Sequence, residues 1–221
     1  NFYAYVIDFN PAEVQDTLPF LAEMAPEIRS TSVFQDLERI NNAIKEKTLA
    51  STLNLEKAFN NTLKSGNALH FIGLLSDGGV HSHINHIKAA LSLAVDRGAK
   101  TFLHIFTDGR DTSPQSALEY IADIEAHIKE IGGNCSIASV IGRFYALDRD
   151  NRWERIQEAY NLICCGNGKY KANSAKEAVE MAYERGETDE FVEATAILNK
   201  KDKATKKISQ SNENHTDSQS I

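Results

Sequence analysis

Arg110 and Asp111 stand side by side in Asp108-Gly109-Arg110-Asp111-Thr112, shortly ahead of Pro114. An arginine held there can grip a carboxylate or phosphate through two parallel hydrogen bonds. The neighbouring aspartate can take a proton from a hydroxyl within reach, as a general base does. The competing account is a surface Arg–Asp turn that only starts a helix, with Thr112 or Ser113 as cap and Pro114 in the first turn. Arg143, Arg149 and Arg152 crowd a single connection that also holds Asp148 and Asp150. Such cations either await an anion or neutralise those aspartates in a surface network worth little. His81, His83 and His86 form H-x-H-x-x-H close to Asp77. Metal ligation is one use of that pattern. No clear carboxylate and histidine set elsewhere completes a cage, so substrate contact by at least one of them is the expectation. Histidines at a helix start can also donate to an anion there, or merely cap. Ser76-Asp77-Gly78-Gly79 lacks both the P-loop and the G-x-G-x-x-G spacings. His104 is expected to be a satisfied core or face residue, Trp153 to pack a helix, and Arg155 to have no particular role.

These side chains need elements that bring them to one place. Leu69 to Leu75 is a short apolar run ending at Ser76-Asp77-Gly78-Gly79, followed by a helical pattern through Ile87, Leu91 and Ala94. Thr101 to Phe106 leads into Asp108-Gly109-Arg110-Asp111 and a helix with Leu118, Ile121, Ile124 and Ile128. Ser136 to Ile141 leads into Gly142-Arg143 and, after a loop, a helix from Trp153 to Ile163. Short apolar strands alternating with amphipathic helices predict an α/β fold, a mainly parallel sheet flanked by helices in three layers. Right-handed crossovers put the three strand ends on one edge, and open α/β sheets bind ligands beyond that edge. The residues there are Asp77 to His86, Asp108 to Thr112 and Arg143 to Arg152, the stretches dense in Asp, Arg, His and Gly.

Helices are also predicted over Phe34–Ile44, over Thr52–Leu63 with a stop near Gly66, and through Ala178, Met181 and Ala182. Phe2 to Phe9 could form a strand and Ala12 to Met24 a helix, although Pro19 counts against the latter. From Asn199 the chain is polar, crowded with lysine and aperiodic, and is expected to be disordered.

The 221 residues carry a net charge of −7 and a pI of about 5.5. That balance disfavours nonspecific nucleic-acid binding, which needs a basic surface, but local arginines can still attract a small anion. Cys135, Cys164 and Cys165 fit neither a disulfide framework nor a zinc site and are expected to be buried, reduced thiols of a cytoplasmic protein. No apolar run has the roughly 20 residues of a membrane span, so neither membrane nor nucleic acid is an expected partner.

Several ordered motifs together resemble cofactor-independent phosphoglycerate mutase. They are Phe34-Gln35-Asp36-Leu37-Glu38-Arg39-Ile40, Leu75-Ser76-Asp77-Gly78-Gly79-Val80-His81-Ser82-His83, Asp108 to Thr112, Gly142 to Asp150 with Arg152-Trp153-Glu154-Arg155, and Arg185-Gly186-Glu187-Thr188-Asp189-Glu190-Phe191. The likeness spans about Val33 to Val192 and is to the family's inserted, glycerate-binding domain. It implies residues 33–198 as a substrate-binding domain, 1–32 as a diverged N-terminal segment and 199–221 as a tail. It also implies that His81, Arg110, Asp111, Arg143 and Arg149 contact 3-phosphoglycerate or 2-phosphoglycerate, with Asp111 as acid/base for the glycerate hydroxyls. His83, His86 and Arg152 inherit no such role.

In the family a partner domain of the alkaline phosphatase superfamily holds two Mn or Mg ions and a nucleophilic serine. The serine takes the phosphoryl group, the glycerate turns, and its other hydroxyl attacks the phosphoserine. No Gly-Asn-Ser-Glu-Val-Gly-His motif precedes Val33, Ile28-Arg29-Ser30-Thr31 replaces Gly-Ala-Gly-Arg, and the later Arg-x-Asp-Arg, lysine and metal-ligand motifs do not follow Val192. The resemblance thus implies a truncated or diverged monomer with the glycerate clamp, no metal bound by its own residues and no turnover alone. The alternative is a non-catalytic relative that binds phosphoglycerate or a partner. An unrelated nucleotide-binding domain is disfavoured by the missing glycine fingerprint.

Overall fold

The computed structural model describes residues 7–8 and 32–198. The helix over Ala12–Met24, nearly all of the 1–32 segment and the 199–221 tail lie outside the described residues. Of the strand expected at Phe2–Phe9, Ile7–Asp8 is described and forms β1.

The chain continues through α1 (Ser32–Lys45), a 3₁₀ turn at Leu49–Ser51, α2 (Leu53–Ser65), β2 (Leu69–Leu74), α3 (Ile84–Asp96), β3 (Thr101–Thr107), α4 (Ala117–Ile131) and β4 (Cys135–Gly142). Then come α5 (Arg143–Ala146), α6 (Trp153–Cys165), β5 (Tyr170–Ala172), α7 (Ala175–Glu184), a 3₁₀ turn at Asp189–Phe191 and β6 (Thr195–Ile197). α2 stops where the sequence places its stop: Gly66 takes φ 72°, a left-handed conformation that glycine adopts without a Cβ penalty, and its N–H closes on the Thr62 carbonyl.

The sheet has the order β1-β2-β3-β4-β6-β5. β2, β3 and β4 run parallel, with one register shift against β4 between Leu103 and His104, so their carboxyl ends share one edge. β1 joins β2, and β6 joins β4, antiparallel, while β5 and β6 are parallel. The strands β5 and β6 escape the sequence because three residues each give too short a run to show a period of two. They form because backbone N–H and C=O groups beside β4 must be paired once buried.

Side-chain alternation sorts the core onto the two faces of the sheet. Leu69, Phe71, Leu103, Ile105 and Val140 pack with Phe59 of α2, Leu91 of α3, Ile121 and Ile124 of α4 and Val179 of α7. Ile72, Leu74, Phe106 and Ile141 point the other way, against Ala159 and Leu162 of α6. Helices on both faces make the three layers that the alternating pattern predicts. Each fully buried Leu, Ile or Phe here contributes about 1.5–3 kcal/mol relative to exposure.

Three polar residues interrupt the second face as a connected row. The His70 and His104 rings meet at 2.9 Å, Nδ1 to Nε2, and His104 Nδ1 meets Ser139 Oγ at 2.8 Å. His104 is therefore the satisfied residue its strand position predicts. Cys135 is half-buried, and burial pushes its thiol up to about 11. Cys164 is half-buried too, whereas Cys165 is exposed, contrary to the expectation of buried thiols, because α6 ends at Gly166 and leaves its last turn in solvent. No helix among the described residues is long and apolar enough to cross a membrane.

Candidate functional site

Asp108, at the end of β3, organises the shared strand edge. It is 2% exposed. Its Oδ2 accepts from the Ser76 hydroxyl beyond β2 at 2.6 Å. Its Oδ1 accepts from Arg143 Nη1 at 2.6 Å and from the backbone N–H groups of Arg110 and Asp111 at 3.2 and 3.0 Å. Burial pushes this carboxyl up, but the Ser76, Asp111, Arg143 and Arg110 hydrogen bonds outweigh it, and the net result lies below the usual carboxylate range. One side chain thus ties together the ends of three parallel strands.

Arg143, the first residue of α5, bonds Asp111 Oδ2 at 2.6 Å through the same Nη1. Its side chain is 7% exposed. Burial disfavours its charge, yet Asp111 and Asp108 overcome that and raise its affinity for the proton. Among the described residues both carboxylates engage Nη1, so the rest of the guanidinium fork can serve an anion. The Ser76 loop lies directly on this pair: a Cβ at Gly78 would stand 3.0 Å from Asp111 Cβ.

His81 is half-buried beside them. Burial lowers its pKa first, Arg143 lowers it further against the opposing pull of Asp111, and Arg149 adds to the depression. His81, Asp111, Arg143 and Arg149 therefore share one electrostatic neighbourhood. Arg149 is exposed, and among the described residues no carboxylate forms an ion pair with it. Arg110 stands at the rim, 58% exposed, with its Nε 3.8 Å from Glu190. The other two histidines have structural partners. His83 caps α3, accepting from the Asn85 N–H at 3.2 Å, and His86 Nε2 meets Asn41 Oδ1 at 2.7 Å.

The alternative of Arg143, Arg149 and Arg152 being neutralised by Asp148 and Asp150 is not what the described residues show. Asp148 accepts from the Asp150 and Arg152 amides and pairs with Arg155 at 2.9 Å. Arg155, given no role by the sequence, also lies 3.8 Å over the Phe144 ring and so ties α6 to α5. A second correction concerns α4. It starts at Ala117, beyond Pro114, and neither Thr112 nor Ser113 caps it. The carboxylate of Asp189 accepts from the Ser116 and Ala117 N–H groups instead, both at 2.8 Å.

Close backbone packing holds the edge from behind. A Cβ at Gly142 would stand 2.3 Å from the Glu190 carbonyl oxygen and 2.7 Å from the Val192 nitrogen. Neither backbone atom can swing aside as a side chain could. Gly142→Ala is therefore expected to cost about 2–3 kcal/mol through overpacking, read as a lowered thermal midpoint. An unchanged midpoint would contradict the packing.

Among the described residues no group of three or more His, Cys, Asp or Glu side chains could hold a metal ion. The carboxylates nearest the site, Asp108 and Asp111, already face a guanidinium. What the arrangement offers is positive charge from arginine, a neutral imidazole and a carboxylate, on a rigid strand edge.

The family model described as "BPG-independent PGAM N-terminus (iPGM_N)" matches residues 40–214. The chain belongs to this family. Its iPGM_N match takes in all three strand-end stretches that build the site. The 2,3-bisphosphoglycerate-independent phosphoglycerate mutase of Hydrogenovibrio crunogenus is 56% identical over 165 residues, covering 75% of this chain and 32% of that protein. The enzyme of the same name from Clostridioides difficile is 50% identical over 167 residues, with the same coverage. A solved structure of Leishmania mexicana phosphoglycerate mutase, described at low cobalt concentration, matches with a TM-score of 0.71 at 30% identity. It too covers 75% of this chain and 32% of the other. The chain thus spans about a third of the length of the curated relatives it matches.

Within this iPGM_N chain the residues that sequence reasoning missed are Ser76, Asp108 and Asp189. Asp108 stands inside a motif already singled out, and its signal was the strand end itself: an acid directly after a strand that is buried along almost its whole length is buried at the edge. Asp189 carried no local signal of its contact with α4.

Proposed function

We propose that this chain binds phosphoglycerate at the β2–β3–β4 edge as the glycerate-holding part of a glycolytic phosphoglycerate mutase that interconverts 3-phosphoglycerate and 2-phosphoglycerate. The observation that carries the reading is the Arg143 guanidinium, bonded at 2.6 Å to both Asp108 and Asp111 inside the neighbourhood of His81 and Arg149. Family membership supports it.

In this reading Arg143, with part of its fork uncommitted, and Arg149 hold the acid's anionic groups, and Arg110 closes the rim. Their value is orientation, because a reacting hydroxyl held in place avoids the entropy of a bimolecular encounter. His81, kept neutral by burial and by Arg143, donates a hydrogen bond without adding a charge. Asp111 Oδ1, which no described residue engages, accepts a proton from one glycerate hydroxyl and returns it to the other. The phosphoryl transfer itself, with the serine and the two Mn or Mg ions that the resemblance assigns to a partner domain, has no counterpart among the described residues. The isolated chain is expected to turn over no substrate.

Calorimetry with 3-phosphoglycerate tests the reading. Binding is expected, and Arg149→Ala is expected to weaken it about tenfold, the worth of a charge-assisted hydrogen bond. Absence of binding heat, or an Arg149→Ala chain that binds as well as the parent, sinks it. Turnover by the chain alone with manganese would overturn the division of labour.

A further inference from the structure

Asp189 sits behind the site, yet it fastens both ends of the connection that carries Arg110 and Asp111. Before that connection, Thr107 Oγ1 donates to the Asp189 carbonyl at 2.6 Å. Towards its far end, the Asp189 N–H donates to the Pro114 carbonyl at 2.9 Å. The carboxylate, in a residue 1% exposed, takes the Ser116 and Ala117 N–H groups and the Tyr183 hydroxyl. Gly109 packs against the same turn, where a Cβ would stand 2.8 Å from Asp189 Cβ and 2.7 Å from the Glu190 nitrogen. Glu190 in turn faces Arg110, and its carbonyl presses on Gly142, the residue before Arg143.

Helix capping alone does not account for this arrangement. A hydroxyl at Ser116 or Ser113 could satisfy the first N–H groups of α4 at no distance in sequence. Here a carboxylate arrives from 73 residues away instead. A buried carboxylate is costly unless its oxygens are fully hydrogen-bonded, and among the described residues no cation forms an ion pair with it. A local cap could hold only the helix end of the connection. Asp189 holds that end through its side chain and the strand end through its backbone.

We infer that Asp189 is a positioning residue for the anion clamp, fixing the Asp108–Ser116 connection so that Asp111 and Arg110 face Arg143 and the ligand. The inference rests on the phosphoglycerate reading for its ligand but not for its geometry. Both can be measured.

In the full chain, Asp189→Ala is expected to weaken 3-phosphoglycerate binding about tenfold at a temperature where the chain remains folded. Asp189→Asn is expected to recover affinity to within about threefold of the parent, since its amide oxygen still accepts from Ser116 and Ala117. Amide hydrogen exchange without ligand is the second measurement. The Arg110 and Asp111 N–H groups, bonded to Asp108, are expected to exchange at least about tenfold faster in Asp189→Ala, while those of Leu103 and Ile105 in β3 keep their rates. A folded Asp189→Ala chain with parental affinity overturns the inference, and so does acceleration shared equally by β3. If the parent binds no 3-phosphoglycerate, the functional reading has failed and the exchange pattern alone decides this one. If Asp189→Ala does not fold, Thr107→Val decides, removing only the hydroxyl bond to the Asp189 carbonyl. About threefold weaker binding is then expected, with faster Arg110 and Asp111 exchange, and parental values for both overturn it.

Discussion

Arg143→Ala is expected to destabilise the fold by about 3–5 kcal/mol and to abolish the proposed phosphoglycerate binding together. Removing one member of a buried ion pair leaves its partner charged and uncompensated, which is the source of that magnitude. Asp108 is 2% exposed and the Asp111 side chain 21%, so neither can recover its hydration without moving. Both accept from the same Nη1, and without it two carboxylates confront each other across the strand ends. Urea unfolding at neutral pH measures the loss. Arg143→Lys is expected to retain part of the stability, because an ammonium keeps the charge but loses the planar fork, and to bind at least about tenfold more weakly. The double variant Arg143→Ala/Asp108→Asn separates the two effects. Removing a charge from each side is expected to restore much of the stability, with binding still absent. A single Arg143→Ala variant that loses less than about 1 kcal/mol would show that the three side chains do not form the buried cluster described here.

Acid is expected to weaken the fold in a window set by histidines rather than by carboxylates alone. Burial, with His70 beside it, holds His104 down to about 4 from its ordinary 6.5, and burial with His83 does the same to His86. Between about 6.5 and about 4 the unfolded chain binds protons that the folded chain refuses. Stability therefore falls as pH drops through that window, and these two groups take nothing further below it. For His104 alone the difference is worth about 3 kcal/mol at 1.36 kcal/mol per pH unit. Asp108 acts later, because its folded value is depressed: its contribution is complete above the ordinary 3.8 and is lost as pH falls below that. Urea midpoints from pH 7.5 to 4 test the order of events. His104→Gln is expected to flatten the slope between about pH 6 and 4.5 by up to one proton per molecule. A parent curve that is level over that range would exclude the buried, neutral state of both rings.

Much of the scaffold was legible before any coordinates. Leu69–Leu74, Thr101–Thr107 and Cys135–Gly142 lie within a residue or so of the apolar runs that announced them, and the helices through Leu91, Ile121 and Leu162 follow their periodicity. Those signals are local: a strand or helix with a buried face writes its period into its own residues. From the strand ends alone, the stretches that would carry the site could be marked, and Asp111 and Arg143 do meet there. Legibility failed where an element draws its stability from elsewhere. Three-residue strands such as Tyr170–Ala172 exist because β6 pairs with them. By its sequence Arg143 belongs to a strand-to-helix connection, yet it opens a short helix whose packing depends on Phe144 meeting Phe191 and Arg155.

Residue types and their spacing were enough to establish an α/β chain whose arginines, aspartates and histidines gather beyond one sheet edge, because period and position belong to the chain itself. Pairing belongs to space. Folding alone decided that Asp108 would hold three strand ends, that His83 and His86 would serve the scaffold while His81 faced the arginines, and that Asp189 would cap a helix 73 residues before it. Each of those outcomes turns on which polar groups must find a partner once water is excluded, and that is settled only when distant segments close on one another.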